Sequence, residues 1–170
     1  MESYHFNWNV IWRDWDALLG GLALGLEVAV YSLAIGMIIG QSCAFMMTAK
    51  SRLLRVPSRV YVTFLRNQPP LLLLFFAYFV LPRMGIRLGR EESVILTLGL
   101  YAGAQLAEVF RGALVNIPRG IAEAGKSIGL TTFRVNLLVI LPIMFRNALP
   151  ALGNTFISLF KDTSLAAGIA

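Results

Sequence analysis

Four long apolar runs alternate with short polar and basic segments along the chain. The first run, residues 28–49, has 22 residues without a charged side chain. A helix of that length spans about 33 Å, enough for a hydrocarbon core of about 30 Å. A start nearer Leu18 would place Glu27 at the membrane interface. The other runs cover residues 60–80, 93–107 and 147–160. The pattern predicts an all-α, polytopic membrane helix bundle of about four spans, in one domain over residues 1–170.

The second run is interrupted by polar and helix-breaking residues. It contains Arg66, and the pair Pro69 and Pro70 follows closely. Proline removes a backbone donor and clashes with the preceding turn. We therefore expect this helix to be distorted one or two turns inside its cytoplasmic end.

Small residues recur every four positions on two of the predicted helices. They are Ser32, Gly36, Gly40 and Ala44 on the first, and Gly99, Gly103 and Ala107 on the third. Small residues at this spacing let helix backbones approach closely within lipid. The pattern favours a direct contact between these two helices, although glycine and alanine are also common in membrane helices.

The composition supports a membrane protein. Hydrophobic residues make up 57% and charged residues 14%, whereas soluble domains are about 45–50% apolar and about 25% charged. The net charge of +6 comes from basic residues clustered between apolar runs, which is typical of topology determinants rather than of nucleic-acid binding. With one histidine, His5, and one cysteine, Cys43, the sequence predicts neither a metal site nor an enzyme's catalytic cluster.

The distribution of lysine and arginine predicts the orientation. Residues 50–59 hold four basic residues and residues 111–146 hold five, against three in residues 83–92. By the positive-inside rule the first two segments are cytoplasmic and the N-terminus lies outside.

Four charged residues lie within or at the ends of apolar runs: Arg66, Glu108, Lys161 and Asp162. Charges at bilayer depth are costly and usually face a bundle interior or a partner. Arg66 and Glu108 fall at similar depth, so they could form an interhelical pair. The alternative is that they mark helix ends and extend to the interface.

The segment "KDTSL" interrupts a run that would otherwise span. Lys161 and Asp162 supply both charges, and the hydroxyls of Thr163 and Ser164 could satisfy backbone groups freed by a broken helix. Broken helices at depth are where transporters bind polar substrates. We therefore interpret these four residues as a substrate pathway, or alternatively as a helix cap at the outer surface.

The segment from residue 111 to 146 contrasts with the rest of the chain. Pro118 can start a short helix rich in small residues, and Gly129 suits its end. Thr131 or Thr132 can cap a second, amphipathic helix that Pro142 is expected to end. The segment is predicted to form a docking helix, a break and a supporting helix outside the lipid.

The same segment resembles the EAA signature of ABC-importer permeases. That signature reads EAA, three residues, G, nine residues, I, one residue, LP. Glu123, Ala124 and Gly125 are followed by Gly129, then by Val139, and by Leu141 and Pro142 at the signature's spacing. Gly125 and Val139 depart from it by one small or conservative change each.

The resemblance extends over roughly residues 20–170 and includes "FLRNQPPLLLLFFAYFVLP", "AEVFRGALVNIPRG" and "KDTSLAAGIA". It is nearest to the permeases for polar amino acids such as histidine, glutamine, glutamate and arginine. It implies a bacterial inner-membrane subunit that pairs with a second, identical or paralogous, permease chain. It also implies two cytoplasmic ATPase subunits that hold ATP and Mg²⁺ and receive the coupling loop, about 111–146, together with an external solute-binding protein. A fifth helix after "KDTSL" is expected from the family.

The chain has no GxxxxGK[ST] phosphate loop, so ATP hydrolysis is expected on a separate chain. The alternative is a secondary transporter or channel that works without a motor. That alternative does not explain the segment of small residues predicted to lie outside the lipid, within residues 111–146.

Overall fold

The structure is a computed structural model and describes residues 8–169. His5 lies outside these residues. The short helix α1, Trp8–Arg13, precedes the long helix α2, Trp15–Thr48. Helix α3 covers Arg52–Arg66. Helix α4, Pro70–Phe75, continues as a π-helix over Phe76–Val80 and a 3-10 helix over Leu81–Met84. Helix α5 covers Arg90–Val115. The described part of the chain is therefore all-α.

The rest of the chain forms the short helix α6 and one long helical segment. Helix α6 covers Arg119–Ser127. Helix α7, Thr132–Val135, passes through a π-helix, Asn136–Ile140, into α8, Leu141–Asp162, and a 3-10 helix, Thr163–Ile169, ends the segment.

Within residues 8–169, three helical segments are long and apolar enough to cross a membrane: Trp15–Thr48, Arg90–Val115 and Thr132–Ile169. The pair Arg52–Arg66 and Pro70–Met84 would make a fourth span, although it bends by 104° at its break. The predicted distortion at Pro69 and Pro70 is thus a full break. Pro70 is the first residue of α4, where its missing N–H costs no helical hydrogen bond.

Helix α5 is the centre of the bundle, because α2, α3, α4 and α8 all pack against it. Its contact with α2 is the most extensive and confirms the contact predicted from small residues. A Cβ placed on Gly40 would lie 2.7 Å from the Cβ of Leu106, and one placed on Gly103 would lie 2.8 Å from Cγ2 of Ile39. The Ser32 hydroxyl donates to the Ile95 carbonyl at 3.4 Å in the same contact. The two helices run in the same direction.

Two main groups of buried apolar residues occupy the two ends of the bundle. Leu106, Phe110 and Met144 belong to the group at the end where α5 finishes, which extends to Val135 beside α6. Leu74, Leu98 and Leu159 belong to the group nearer the start of α5. The polar side chains described next lie along α5 and α8 beside the second group, because Ala102 and Leu159 of that group line the same cavity.

Candidate functional site

A polar cavity of about 420 Å³ lies between α5 and α8. Tyr101 and Gln105 line it from the middle of α5. The other polar side chains come from the second half of α8: Asn154, Thr155, Ser158 and Asp162. Binding pockets for small molecules commonly enclose about 300–1,000 Å³ and present a few convergent polar groups. The cavity therefore has the size and the chemistry for a small polar solute.

Gln105 is held in place by two side-chain contacts. Its Nε2 donates to the Tyr101 hydroxyl at 3.1 Å, and its Oε1 accepts from Nε of Arg66 at 3.3 Å. Arg66 thus reaches the α5 wall of the cavity from the end of α3. The Thr155 hydroxyl donates to the Ala151 carbonyl at 2.9 Å. With the described residues, Asn154, Ser158 and Asp162 form no side-chain hydrogen bond, so their polar atoms are available to a solute.

Of the polar residues that line this cavity, only Asp162 was predicted from the sequence as a site residue. A signal was present in the sequence, because Tyr101 and Gln105 are four residues apart, as are Asn154, Ser158 and Asp162. Side chains at that spacing share one helix face. A stripe of polar residues on each of two largely apolar helices could therefore have indicated a polar cavity between them.

The structure separates the four predicted pathway residues into two groups. Asp162 faces the polar cavity, whereas Lys161, Thr163 and Ser164 line a second cavity of about 510 Å³ on the other side of α8. The prediction of one cluster was wrong because neighbouring residues on a helix point about 100° apart.

The backbone at these positions also differs from the predicted broken helix. Helix α8 stays regular through Asp162 and tightens into the 3-10 segment. The hydroxyls of Thr163 and Ser164 donate to the carbonyls of Phe160 and Lys161, both at 2.7 Å. These hydroxyls satisfy carbonyls of the final helical turn rather than those of an unwound segment.

The predicted pair between Arg66 and Glu108 is also absent from the described structure. Glu108 accepts from Arg111 instead, with 2.6 Å between its Oε2 and Nη2 of the arginine. Arg111 lies three residues further along α5, a spacing at which oppositely charged side chains meet on the same helix. Arg66 instead donates a hydrogen bond to Gln105, which lies one helical turn before Glu108 on α5.

The short helix predicted after Pro118 is present as α6, and its C-terminal end has the expected glycine. Gly129 has φ of +86°, a conformation that favours glycine. The N–H of Gly129 donates to Lys126 at 2.9 Å, and that of Leu130 donates to Gly125 at 3.2 Å. These two bonds form a Schellman motif, which ends the helix at Ser127 with Ile128 as its C-cap.

Gly125 fixes α6 to the next helix. A Cβ on Gly125 would lie 3.0 Å from Cγ2 of Val135, so α6 sits directly against the buried Val135 of α7. Glu123 and Ala124 are exposed on α6. The Thr131 hydroxyl accepts from the Arg134 N–H at 3.4 Å, as the predicted cap requires.

Leu141 and Pro142 lie inside a continuous helical segment, so the expectation that Pro142 ends its helix was wrong. The Leu141 N–H donates to the Asn136 carbonyl, which is the wider hydrogen bond of a π-helix. Pro142 is then at the start of α8, a position that tolerates proline. The segment therefore runs without a break from Thr132, beside α6, to Asp162 in the cavity.

Comparisons with known proteins agree on one family. Residues 32–170 match the family model described as "binding-protein-dependent transport system inner membrane component". The L-cystine transport system permease protein TcyB of Bacillus subtilis (strain 168) is 36% identical over 163 residues, which are 95% of this chain and 70% of that protein. The glutamine transport system permease protein GlnP of Escherichia coli (strain K12) is 34% identical over 162 residues, covering 94% of this chain and 74% of that protein.

Solved structures give the same result for the fold. A crystal structure of an amino acid ABC transporter with histidines matches with a TM-score of 0.84 and 25% identity, over 98% of this chain and 78% of that chain. A structure of the MetNI methionine ABC transporter in an inward-facing conformation matches with a TM-score of 0.78 over 96% of this chain and 77% of that chain. Its identity of 22% supports the shared fold alone.

Proposed function

The chain belongs to the family of binding-protein-dependent transport system inner membrane components, and we propose that it is the permease subunit of an ATP-driven ABC importer for polar amino acids. The relatives named for cystine and glutamine support this substrate class. In this proposal the coupling loop, about 111–146, faces the cytoplasm of a bacterial cell, and the chain crosses its inner membrane.

The observation that carries the proposal is the unbroken connection between α6 and the polar cavity. Helix α6 contacts Val135 through Gly125. From Val135 the helical segment continues through Leu141 and Pro142 to Asp162. Because helices are stiff along their axis, a displacement of α6 would move the α8 wall of the cavity. This arrangement suits a transporter driven by a separate motor.

In the proposed mechanism, two cytoplasmic ATPase subunits bind ATP and Mg²⁺, and each receives one α6 helix. The exposed Glu123 and Ala124 form the contact surface, and the Schellman end at Gly129 gives α6 a fixed length and direction. Closure of the ATPase pair would push α6, which would transmit the movement to α8. This chain itself carries out no hydrolysis.

The cavity is the proposed substrate path. Asp162 would accept hydrogen bonds from the α-ammonium group of an amino acid. Gln105, Asn154 and Ser158 would bind its carboxylate or its polar side chain. A second permease chain, identical or paralogous, would complete the path, and an external solute-binding protein would deliver the amino acid. A cavity lined by one carboxylate and several neutral polar groups fits a zwitterion better than it fits an inorganic ion.

Co-purification with the ATPase tests the role of α6. The chain is co-expressed with its candidate ATPase as wild type and as Glu123→Arg, which places a bulky opposite charge on the contact surface. Glu91→Arg is the matched control, because Glu91 is also an exposed glutamate but lies at the opposite end of α5. We expect Glu123→Arg alone to lose the ATPase. Equal recovery with all three forms would contradict the coupling role and would favour transport without a motor.

A further inference from the structure

Helix α3 presents three different faces around its circumference. At 100° per residue, its arginines fall within an arc of about 60°; they are Arg52, Arg55, Arg59 and Arg66. The adjacent arc packs against α2 and α5 and holds Ser58, Val62 and Leu65. A third arc holds large apolar side chains that remain exposed, namely Leu53, Val56, Val60 and Phe64. Such a helix has a bundle face, a basic face and an apolar face.

The break at Pro69 turns α3 across the bundle. The segment Pro70–Met84 leads back to the end where α5 begins, and α3 is bent by 104° from that segment. The axis of α3 is therefore close to perpendicular to that of Pro70–Met84. A helix with three such faces can contact protein, water and lipid at once where it lies at a membrane interface.

The basic face has no acidic partner within the described chain. The sequence contains no aspartate or glutamate between Glu27 and Glu91, although it contains Lys50 and seven arginines there. Among the described residues, the ion pairs are those of Arg13 with Asp14 and of Arg111 with Glu108. Arg66 donates a hydrogen bond to the side chain of Gln105. The other three arginines of α3 form no ion pair with any of the described residues.

We propose that Arg52, Arg55 and Arg59 bind the headgroups of anionic phospholipids in the leaflet on the side of α6. The apolar face favours lipid over an acidic protein surface, because side chains such as Leu53, which is 86% exposed, can enter the acyl region beside the headgroups. Interfacial helices with a basic and an apolar face bind anionic membranes in this way. Because α3 also contacts Gln105 through Arg66, bound lipid would stabilise one wall of the polar cavity.

Thermal unfolding in mixed micelles tests the proposal. The purified full chain is titrated with phosphatidylglycerol in micelles of neutral phosphatidylcholine and detergent. The variant R52Q/R55Q/R59Q is compared with R83Q/R87Q/R90Q, which removes the same number of charges from the opposite end of the bundle. Each interfacial arginine strengthens attraction to an anionic surface about fivefold.

We expect phosphatidylglycerol to raise the Tm of the wild type and of the R83Q/R87Q/R90Q control. For the α3 variant, the phosphatidylglycerol concentration that gives half of the shift should rise at least about tenfold. An R52K/R55K/R59K variant keeps the charges and should keep most of the shift. High salt should weaken the wild-type shift, because it screens exposed charges.

Three results would overturn the proposal. The first is an equal Tm shift in the two glutamine variants, and the second is a wild-type shift that salt does not change. The third is a normal lipid response combined with loss of ATPase co-purification in the α3 variant, which would make the basic face a protein-binding surface. If R52Q/R55Q/R59Q fails to fold, the lysine variant and the salt series still decide the question. None of these outcomes depends on the role of Glu123.

Discussion

Gly36 of α2 lies so close to Ala102 of α5 that a Cβ added to the glycine would come within 2.7 Å of the alanine Cβ. The carbonyl carbon of Ala102 would lie 3.2 Å away, so backbone as well as side chain would have to move. Since α5 carries the cavity residues Tyr101 and Gln105 beside Ala102, this contact also determines where the α5 wall of the cavity lies.

Gly36→Ala is expected to destabilise the chain by about 1–3 kcal/mol, the usual cost of inserting a methyl group into a tightly packed contact. Gly20→Ala is the matched control, because Gly20 belongs to the same helix and an added Cβ there meets nothing within 4 Å. Thermal unfolding in detergent should show a lower Tm for Gly36→Ala only. A Tm unchanged in both variants would mean that α2 and α5 are less closely packed than described.

The end of α6 gives a second prediction. Gly129→Ala places a Cβ on a residue with φ of +86°, which costs about 1–2 kcal/mol. The Leu130 N–H, which donates to Gly125 in the Schellman motif, should then exchange with deuterium at least about fivefold faster. Gly120→Ala is the control, because Gly120 lies in the first turn of α6 with open space around it. Hydrogen exchange measured by mass spectrometry would contradict the prediction if both variants matched the wild type.

The outcome at these glycines shows which features the sequence could predict. The small-residue contact and the end of α6 depend on local spacing and on the conformational preference of glycine, and both were predicted correctly. The directions of Lys161 and Asp162 depend on how α8 is rotated against α5, and the partner of Arg66 depends on where α3 ends. Tertiary packing decides both of these, so a single sequence could not predict them.

The π-helix before Leu141 was missed for a related reason. A proline in an apolar run predicts a helix end, because it cannot donate a backbone hydrogen bond. One wider turn over Asn136–Ile140 removes the conflict and leaves the helix continuous. Only the three-dimensional structure distinguishes this solution from a break, whereas at Pro69 and Pro70 the same chemistry produces a bend of 104°.

The separation of Lys161 from Asp162 leads to a third prediction. Asp162→Asn should lower amino acid uptake at least about tenfold, because an amide replaces the carboxylate proposed to bind the α-ammonium group. Lys161→Gln is the control, since its side chain lines the other cavity and uptake should change less than about threefold. Uptake is measured in proteoliposomes of the complete transporter, with ATPase recovery checked for each variant. An equal loss from both substitutions would instead favour the single cluster predicted from the sequence.

The contact of Arg66 with Gln105 gives the last prediction, and a double-mutant cycle measures it. The contact spans 3.3 Å between α3 and α5, so Arg66→Met and Gln105→Leu should be coupled by about 0.5–1.5 kcal/mol in thermal or denaturant unfolding. Arg66→Met combined with Glu108→Gln should be additive within about 0.5 kcal/mol, because Glu108 is bound to Arg111. The charge exchange of Arg66→Glu with Glu108→Arg should not restore stability for the same reason. Coupling of Arg66 to Glu108 rather than to Gln105 would show that α3 ends one helical turn further along α5 than described.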